Sequence, residues 1–198
     1  MTTAPPRTLI AALQVTLDGY ILGPEGEVDW VDSWADGLGL LPEVDAFVLG
    51  GGMFPGYQEF WTLLIDDPAA ATELLGREPY PREDEYARVA ARTPHLVVST
   101  TLTETTWPSA KVVGDLDAIR ALKAEAGKPV YVVGGPGLIQ SLIGAGLLDE
   151  LRVIVHPVLI GSGTTAFAGL AQRQELELVT TEATESGRLQ LTYRLAAA

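Results

Sequence analysis

The sequence predicts an α/β domain whose central sheet is mostly parallel, flanked by helices and closed by an antiparallel hairpin at the carboxyl end. Three observations carry this. Apolar runs of strand length alternate with segments of helical period, the pattern of helices returning the chain between parallel strands. Two of the strand-like runs lead directly into glycine clusters, at Gly50-Gly51-Gly52 and at Gly134-Gly135-Pro136-Gly137. The last part of the chain holds strand-like runs with no helix between them.

The elements follow in order. Leu9 to Val15 is a buried strand, and Asp18-Gly19 is the sharp turn after it. An acidic loop rich in Gly and Trp runs from Gly23 to Asp36. Asp45 to Leu49 is a second buried strand ending in the first glycine cluster. Residues Tyr57 to Glu85 carry prolines and many charges and read as a surface excursion with short helical pieces. A helical stretch at Asp84 to Arg92 leads into a third strand at His95 to Ser99, and Lys111 to Val113 is a short fourth. Asp115 can cap the next helix, which puts Ile119, Leu122 and Ala126 on one face and stops at Lys128-Pro129. Pro129 to Val133 is a strand running into the second glycine cluster, after which Leu138, Leu142 and Ile143 mark an amphipathic helix. The remainder is β: Glu150 to Ile160, then Glu175 to Thr181 and Leu189 to Leu195 as a hairpin through Glu185-Ser186-Gly187.

Composition narrows the function. A chain of 198 residues with 47% hydrophobic content suits one core, and a single domain over residues 1–198 is expected. No apolar run approaches the roughly 18 residues of a membrane span and the start lacks a signal peptide's pattern, so a cytoplasmic protein is predicted. Zero cysteines remove thiol chemistry, and the two histidines, His95 and His156, leave few ligands for a metal, so none is expected. A net charge of -13 repels phosphate backbones and anionic lipid, so neither nucleic acid nor membrane is an expected partner. A small-molecule substrate is.

The clearest chemical signal is strand, glycines, helix at Val130 to Leu142. Glycine lets backbone approach a ligand, and the free N–H groups and dipole of a helix start attract phosphate. Tight packing of strand on helix uses glycine equally well. The second cluster, Gly50 to Gly52, makes a shared crevice at the strands' carboxyl ends the favoured reading. Asp18 is the candidate for proton chemistry, the alternative being a turn carboxylate bonded to nearby backbone. Trp30 and Trp34 can cover the core edge or stack on a flat heterocycle. Asp29 and Asp32 fit a solvated acidic face. His156, in an apolar strand, reads as a core residue, and Gly161-Ser162-Gly163 as a flexible loop.

Taken in order, Thr16-Leu17-Asp18-Gly19, Leu49-Gly50, Val98-Ser99-Thr100-Thr101-Leu102, Val133-Gly134-Gly135 and Gly146 to Leu151 with Pro157 and Gly161-Ser162-Gly163 resemble the reductase domain of riboflavin biosynthesis and its stand-alone relatives, over about residues 8 to 195. The resemblance implies a dihydrofolate reductase-like sheet, NADPH as cofactor and reduction of a phosphoribosylamino-pyrimidine of the 5-amino-6-(5-phosphoribosylamino)uracil kind. A homodimer is expected from the antiparallel end of the sheet, where Leu189 to Leu195 alternates apolar and polar residues and Val153 to Ile160 lies near the edge, and the resemblance adds to that expectation. The resemblance places Gly134, Gly135, Gly137 and Leu138 at the pyrophosphate, Gly50, Gly51, Ser99 and Thr100 on the opposite wall, Ala12 and Ile21 beside the nicotinamide, and Asp18, Gly19 and Trp30 toward the substrate. The chain departs from the family in having Ala12 for a lysine, Tyr57-Gln58 near an expected acidic pair, and Gly51 for an arginine. With no charge at Gly51 or Thr100 to meet the extra phosphate of NADPH, NADH is also admitted. The alternative to a reductase is a shell of the same fold that binds a flavin, a pterin or another nucleotide without turnover.

Overall fold

A computed structural model describes residues 6–35 and 38–196. Its frame is an eight-stranded sheet in the order β5-β4-β3-β6-β1-β7-β10-β9. The strands are β1 (Leu9–Thr16), β3 (Ala46–Gly50), β4 (His95–Val98), β5 (Ala110–Val113), β6 (Val130–Gly134), β7 (Glu150–His156), β9 (Leu176–Ala183) and β10 (Leu189–Leu195). The six strands from β5 to β7 are mutually parallel, and β10 pairs antiparallel with both β7 and β9. A separate small ribbon joins β2 (Tyr20–Leu22) to β8 (Thr164–Thr165). This is the mostly parallel sheet with an antiparallel end that the alternation of segments predicts.

Both faces of the parallel part of the sheet are covered, and β1 shows how the sequence does it. Leu9, Ala11, Leu13 and Val15 join one core cluster, while Ile10 and Ala12 join the other. A strand buried on both sides needs a continuous apolar run, and Leu9 to Leu13 is one. The first face is packed by α4 (Asp117–Ala124) through Ile119 and by α5 (Pro136–Gly144) through Leu138, Ile139, Leu142 and Ile143. Asp115 accepts the Asp117 N–H at 3.0 Å, so it serves the first turn of α4 as expected, although the helix ends at Ala124, before the Lys128-Pro129 stop.

The second face overturns one expectation. Residues 57–85 are not a surface excursion. They belong to α1 (Phe54–Asp66), α2 (Pro68–Leu75) and the start of α3 (Pro81–Arg92), and they cover the sheet. Pro55, Pro68 and Pro81 sit at the first turns of these helices, where a missing N–H costs nothing, and Pro79 lies in the loop before α3. Asp67 caps α2 by accepting the Ala70 N–H at 3.1 Å, and Gly76 ends it with φ 64°. Phe54, Tyr57, Trp61 and Leu64 are buried on one side of α1 and pack with Tyr86, Phe47, His95 and Trp107. Fully burying a large side chain contributes roughly 1.5–3 kcal/mol, so this aromatic layer is a principal source of stability.

His95, on β4, lies inside that layer, 4.8 Å from the Phe47 ring centroid. Its Nδ1 bonds the Thr93 carbonyl at 2.7 Å and its Nε2 meets the Tyr57 hydroxyl at 3.4 Å. Burial lowers its pKa to about 4, so it is neutral at physiological pH.

Candidate active site

The site is built where β1, β3, β4 and β6 end. Between β3 and α1 the chain turns through Gly50 to Met53, and between β6 and α5 it turns through Gly134 and Gly135. β3 and β6 are neighbours whose connections leave in opposite directions, β3 to β4 on one side and β6 past β1 to β7 on the other, and the carboxyl ends of the strands open into a crevice at that point.

The two turns touch. A Cβ added to Gly135 would stand 3.9 Å from both the Cα and the N of Gly50, and one added to Gly50 would stand 3.6 Å from the Leu138 Cβ. Gly51 bonds the Val98 carbonyl through its N–H at 2.8 Å, and a Cβ there would overlap the Ser99 side chain. Gly135 has φ 92° and ψ 108°, a conformation that side chains with a Cβ avoid. Gly50, Gly51, Ser99, Gly134, Gly135 and Leu138 are thereby brought together as the sequence expects.

Electrostatics favour an anion there. Two helices, α1 and α5, begin at the crevice, and neither first turn is capped by a side-chain hydrogen bond. Pro136 opens α5 with a fixed φ and no N–H, leaving Gly137 and Leu138 as the donors of the next positions. On the far wall Ser99 Oγ accepts the N–H groups of Thr101 at 3.2 Å and Leu102 at 2.9 Å, while Thr100 is exposed. The residues fit a dinucleotide pyrophosphate, since the cradle is one that a Cβ would fill and its donors are backbone N–H groups.

Arg77 and Arg82 do not serve this crevice. Arg77 forks onto the buried Glu83, at 2.8 Å to each oxygen, and donates to the Asp32 carbonyl at 2.7 Å. Arg82 reaches the Asp32 carboxylate at 3.5 Å. Both anchor the loop after β2.

The Asp18 turn closes the neighbouring end of β1. Asp18 Oδ1 accepts the Thr16 hydroxyl at 2.6 Å, and Oδ2 accepts the N–H groups of Gly161 at 2.8 Å and Ile160 at 3.1 Å. The Thr16 hydroxyl and the Gly161 N–H hold its pKa below the ordinary carboxylate value. These are the contacts of a turn carboxylate, ionised at neutral pH, that clasps the loop after β7. Gly19 sits beside it with φ 87° and open space around it.

Ala12 is buried in the face covered by α1 to α3, while Ile21 packs against the core of the opposite face. Trp30 lies half-buried, and its indole Nε1 is a buried donor with no hydrogen-bond partner among the described residues. The segment carrying it is tied down on both sides. The Gln14 amide donates to the Ser33 carbonyl at 3.0 Å and, through Oε1, accepts from His156 Nε2 at 2.9 Å, while Arg188 pairs with Asp32 at 3.0 Å. His156 is held below the ordinary histidine pKa by burial and by Arg188. Sequence reasoning passed over Gln14 and Met53. A polar side chain inside the apolar run Leu9 to Val15 was the available signal for Gln14; Met53, at the head of α1, gave none.

Comparison with known proteins agrees with this architecture. The model of the RibD C-terminal domain family matches residues 7–189. The uncharacterized protein YyaP of Bacillus subtilis (strain 168) is 32% identical over 194 residues, 94% of this chain and 94% of its own length. A second uncharacterized protein of that organism, YwjB, is 25% identical over 87% of this chain and 89% of its own. Among solved structures, a protein from Shewanella sp. PV-4 that carries a provisional riboflavin-biosynthesis name superposes with a TM-score of 0.69 at 24% identity, covering 96% of this chain and 99% of that one. The deaminase/5-amino-6-(5-phosphoribosylamino)uracil reductase of Thermotoga maritima gives 0.62 at 15% identity, with 96% of this chain on 57% of that one. Dihydrofolate reductase of Enterococcus faecalis, complexed with NADP(H), gives 0.55 at 19% identity, with 95% of this chain on 96% of that one. With a family match that spans residues 7–189, nearly its whole length, the chain belongs to the RibD C-terminal domain family.

Proposed function

We propose that this protein is an NAD(P)H-dependent reductase of a small heterocyclic substrate, acting on an imine or carbonyl carbon as the uracil reductases of riboflavin biosynthesis do. The observation that carries this is the convergence of two glycine turns and two uncapped helix starts on one crevice. Gly134, Gly135, Gly137 and Leu138 would hold the pyrophosphate, with Gly50, Gly51, Ser99 and Thr100 opposite. Ile21, partly exposed beside the end of β1, would border the nicotinamide, with Ala12 supporting that wall from within the core of the other face. The bound cofactor would supply the hydride. The protein's own part is to orient both partners and exclude water.

The catalytic assignment to Asp18 narrows to positioning. With a lowered pKa and both oxygens bonded, its carboxylate shapes the Gly19 turn and the substrate-side loop, and the proton for the reduced atom comes through water. Trp30 would meet the substrate with its unpaired N–H. NADPH and NADH should bind with similar strength, because Gly51 and Thr100 bring no charge and Arg77 and Arg82 are committed to Glu83 and Asp32.

A second reading, a non-catalytic shell for a flavin or pterin, is favoured by the same commitment of Asp18 to its turn. A thermal-shift scan of NADPH, NADH, FMN and folate separates the two. A ligand specific to the folded state adds about 2.7 kcal/mol at 100 times its dissociation constant. Stabilisation by both nicotinamide dinucleotides supports the reductase; stabilisation by FMN or folate alone supports the shell.

A further inference from the structure

We propose that Met53 is an oxidation site, its thioether converted by peroxide to the sulfoxide, and that this modification closes the crevice to anionic ligands. The inference rests on the dinucleotide reading above and adds a means of switching it off.

The chain has no cysteine and two methionines, Met1 and Met53, so Met53 is its one internal sulfur. It stands at the N-cap of α1, immediately after the Gly50 to Gly52 turn, with 36% of its surface exposed. Its side chain crosses toward the other turn. A Cβ on Gly134 would lie 3.2 Å from Met53 Sδ and 3.6 Å from Cε, so the thioether packs directly on the glycine that precedes the α5 start. Exposed thioethers are the side chains most readily oxidised by peroxide once thiols are absent. In the reaction the sulfur gives up two electrons, the O–O bond of the peroxide breaks, one oxygen bonds to sulfur and the other leaves as water.

The product differs from the thioether in two ways that matter at this position. The sulfoxide oxygen is a strong acceptor with partial negative charge, placed among the N–H groups of two helix starts that would otherwise meet phosphate oxygens. It also adds an atom to a sulfur that already occupies the space beside Gly134 that a Cβ would need. Both effects weaken anion binding, while the core, which does not include Met53, stays intact.

The experiment compares NADPH affinity before and after mild hydrogen peroxide treatment, with peptide mapping of the Met53 sulfoxide and circular dichroism as a folding control. The expected result is a loss of at least about tenfold that follows the Met53 sulfoxide fraction and is reversed by methionine sulfoxide reductases with a thiol reductant. Met53→Leu, whatever its own starting affinity, should show no change on treatment. Sulfoxide formation without loss of affinity, resistance of Met53 to peroxide, or an equal loss in Met53→Leu would each overturn the inference. Untreated protein that binds no nicotinamide dinucleotide would overturn the functional reading and this consequence with it, a result distinct from binding that survives oxidation.

Discussion

At the scale of single residues, the crevice depends on Gly135. Its φ of 92° and ψ of 108° suit no residue with a Cβ, and holding one there costs of order 1–3 kcal/mol. Gly135→Ala should lower the unfolding free energy by about that amount and weaken NADPH binding at least about tenfold, read by denaturant unfolding and by titration on the same sample. Unchanged affinity in a folded variant would remove Gly135 from the site. His95 gives a prediction of another kind. Its pKa falls from an unfolded value near 6.5 to about 4, so between those pH values the unfolded chain binds more protons. Stability is therefore fully present above pH 6.5 and is lost as pH falls toward 4, by an amount on the order of 3 kcal/mol. Urea midpoints from pH 7 to pH 4 should show this slope, and His95→Phe should flatten it even if it lowers stability throughout.

At the scale of elements, the loop that carries Trp30 is held by α3 through one buried ion pair. Removing Arg77 leaves the Glu83 carboxylate, 1% exposed, without its cation. Losing one partner of such a pair costs about 3–5 kcal/mol, reduced here because the Tyr80 N–H also bonds Glu83, at 2.8 Å. Arg77→Ala should destabilise the protein by about 2–3 kcal/mol, whereas Arg82→Ala, on an exposed pair, should cost less than about 1 kcal/mol. Equal effects would contradict the account of the loop. These helices also show what the sequence did and did not reveal. The parallel strands were legible because both-sided burial writes a continuous apolar run, as in β1 and β6, and the glycine turns because φ and close approach demand glycine. The α1 to α3 layer was misread because its prolines look like breakers. The spacing Phe54, Tyr57, Trp61, Leu64 is helical and was the stronger signal. The role of Asp18 was legible only as a choice between two uses, since the Ile160 and Gly161 donors that decide it are 142 and 143 residues away.

At the scale of the whole molecule, the sheet outgrows its covering. β9 is exposed along all eight residues, and Leu176, Leu178, Val179 and Leu189 present apolar surface at the antiparallel edge. Bare edges with exposed apolar side chains invite pairing, and a twofold interface is the commonest way to bury them. We propose a homodimer through the β9–β10 hairpin. Size exclusion with light scattering should give twice the chain mass of 21.1 kDa, and Leu178→Lys should shift it to the monomer. A wild-type mass of one chain at micromolar concentration would rule the dimer out.

We propose that the crevice between the two glycine turns holds a nicotinamide dinucleotide. The most direct test is an NADPH titration followed by amide 15N–1H spectra of the isotope-labelled protein. Saturable shifts are expected, concentrated at Gly50, Gly51, Ser99, Gly135, Gly137 and Leu138, whose backbone stands around the crevice. Shifts confined to other regions, or none at saturating NADPH, would contradict it.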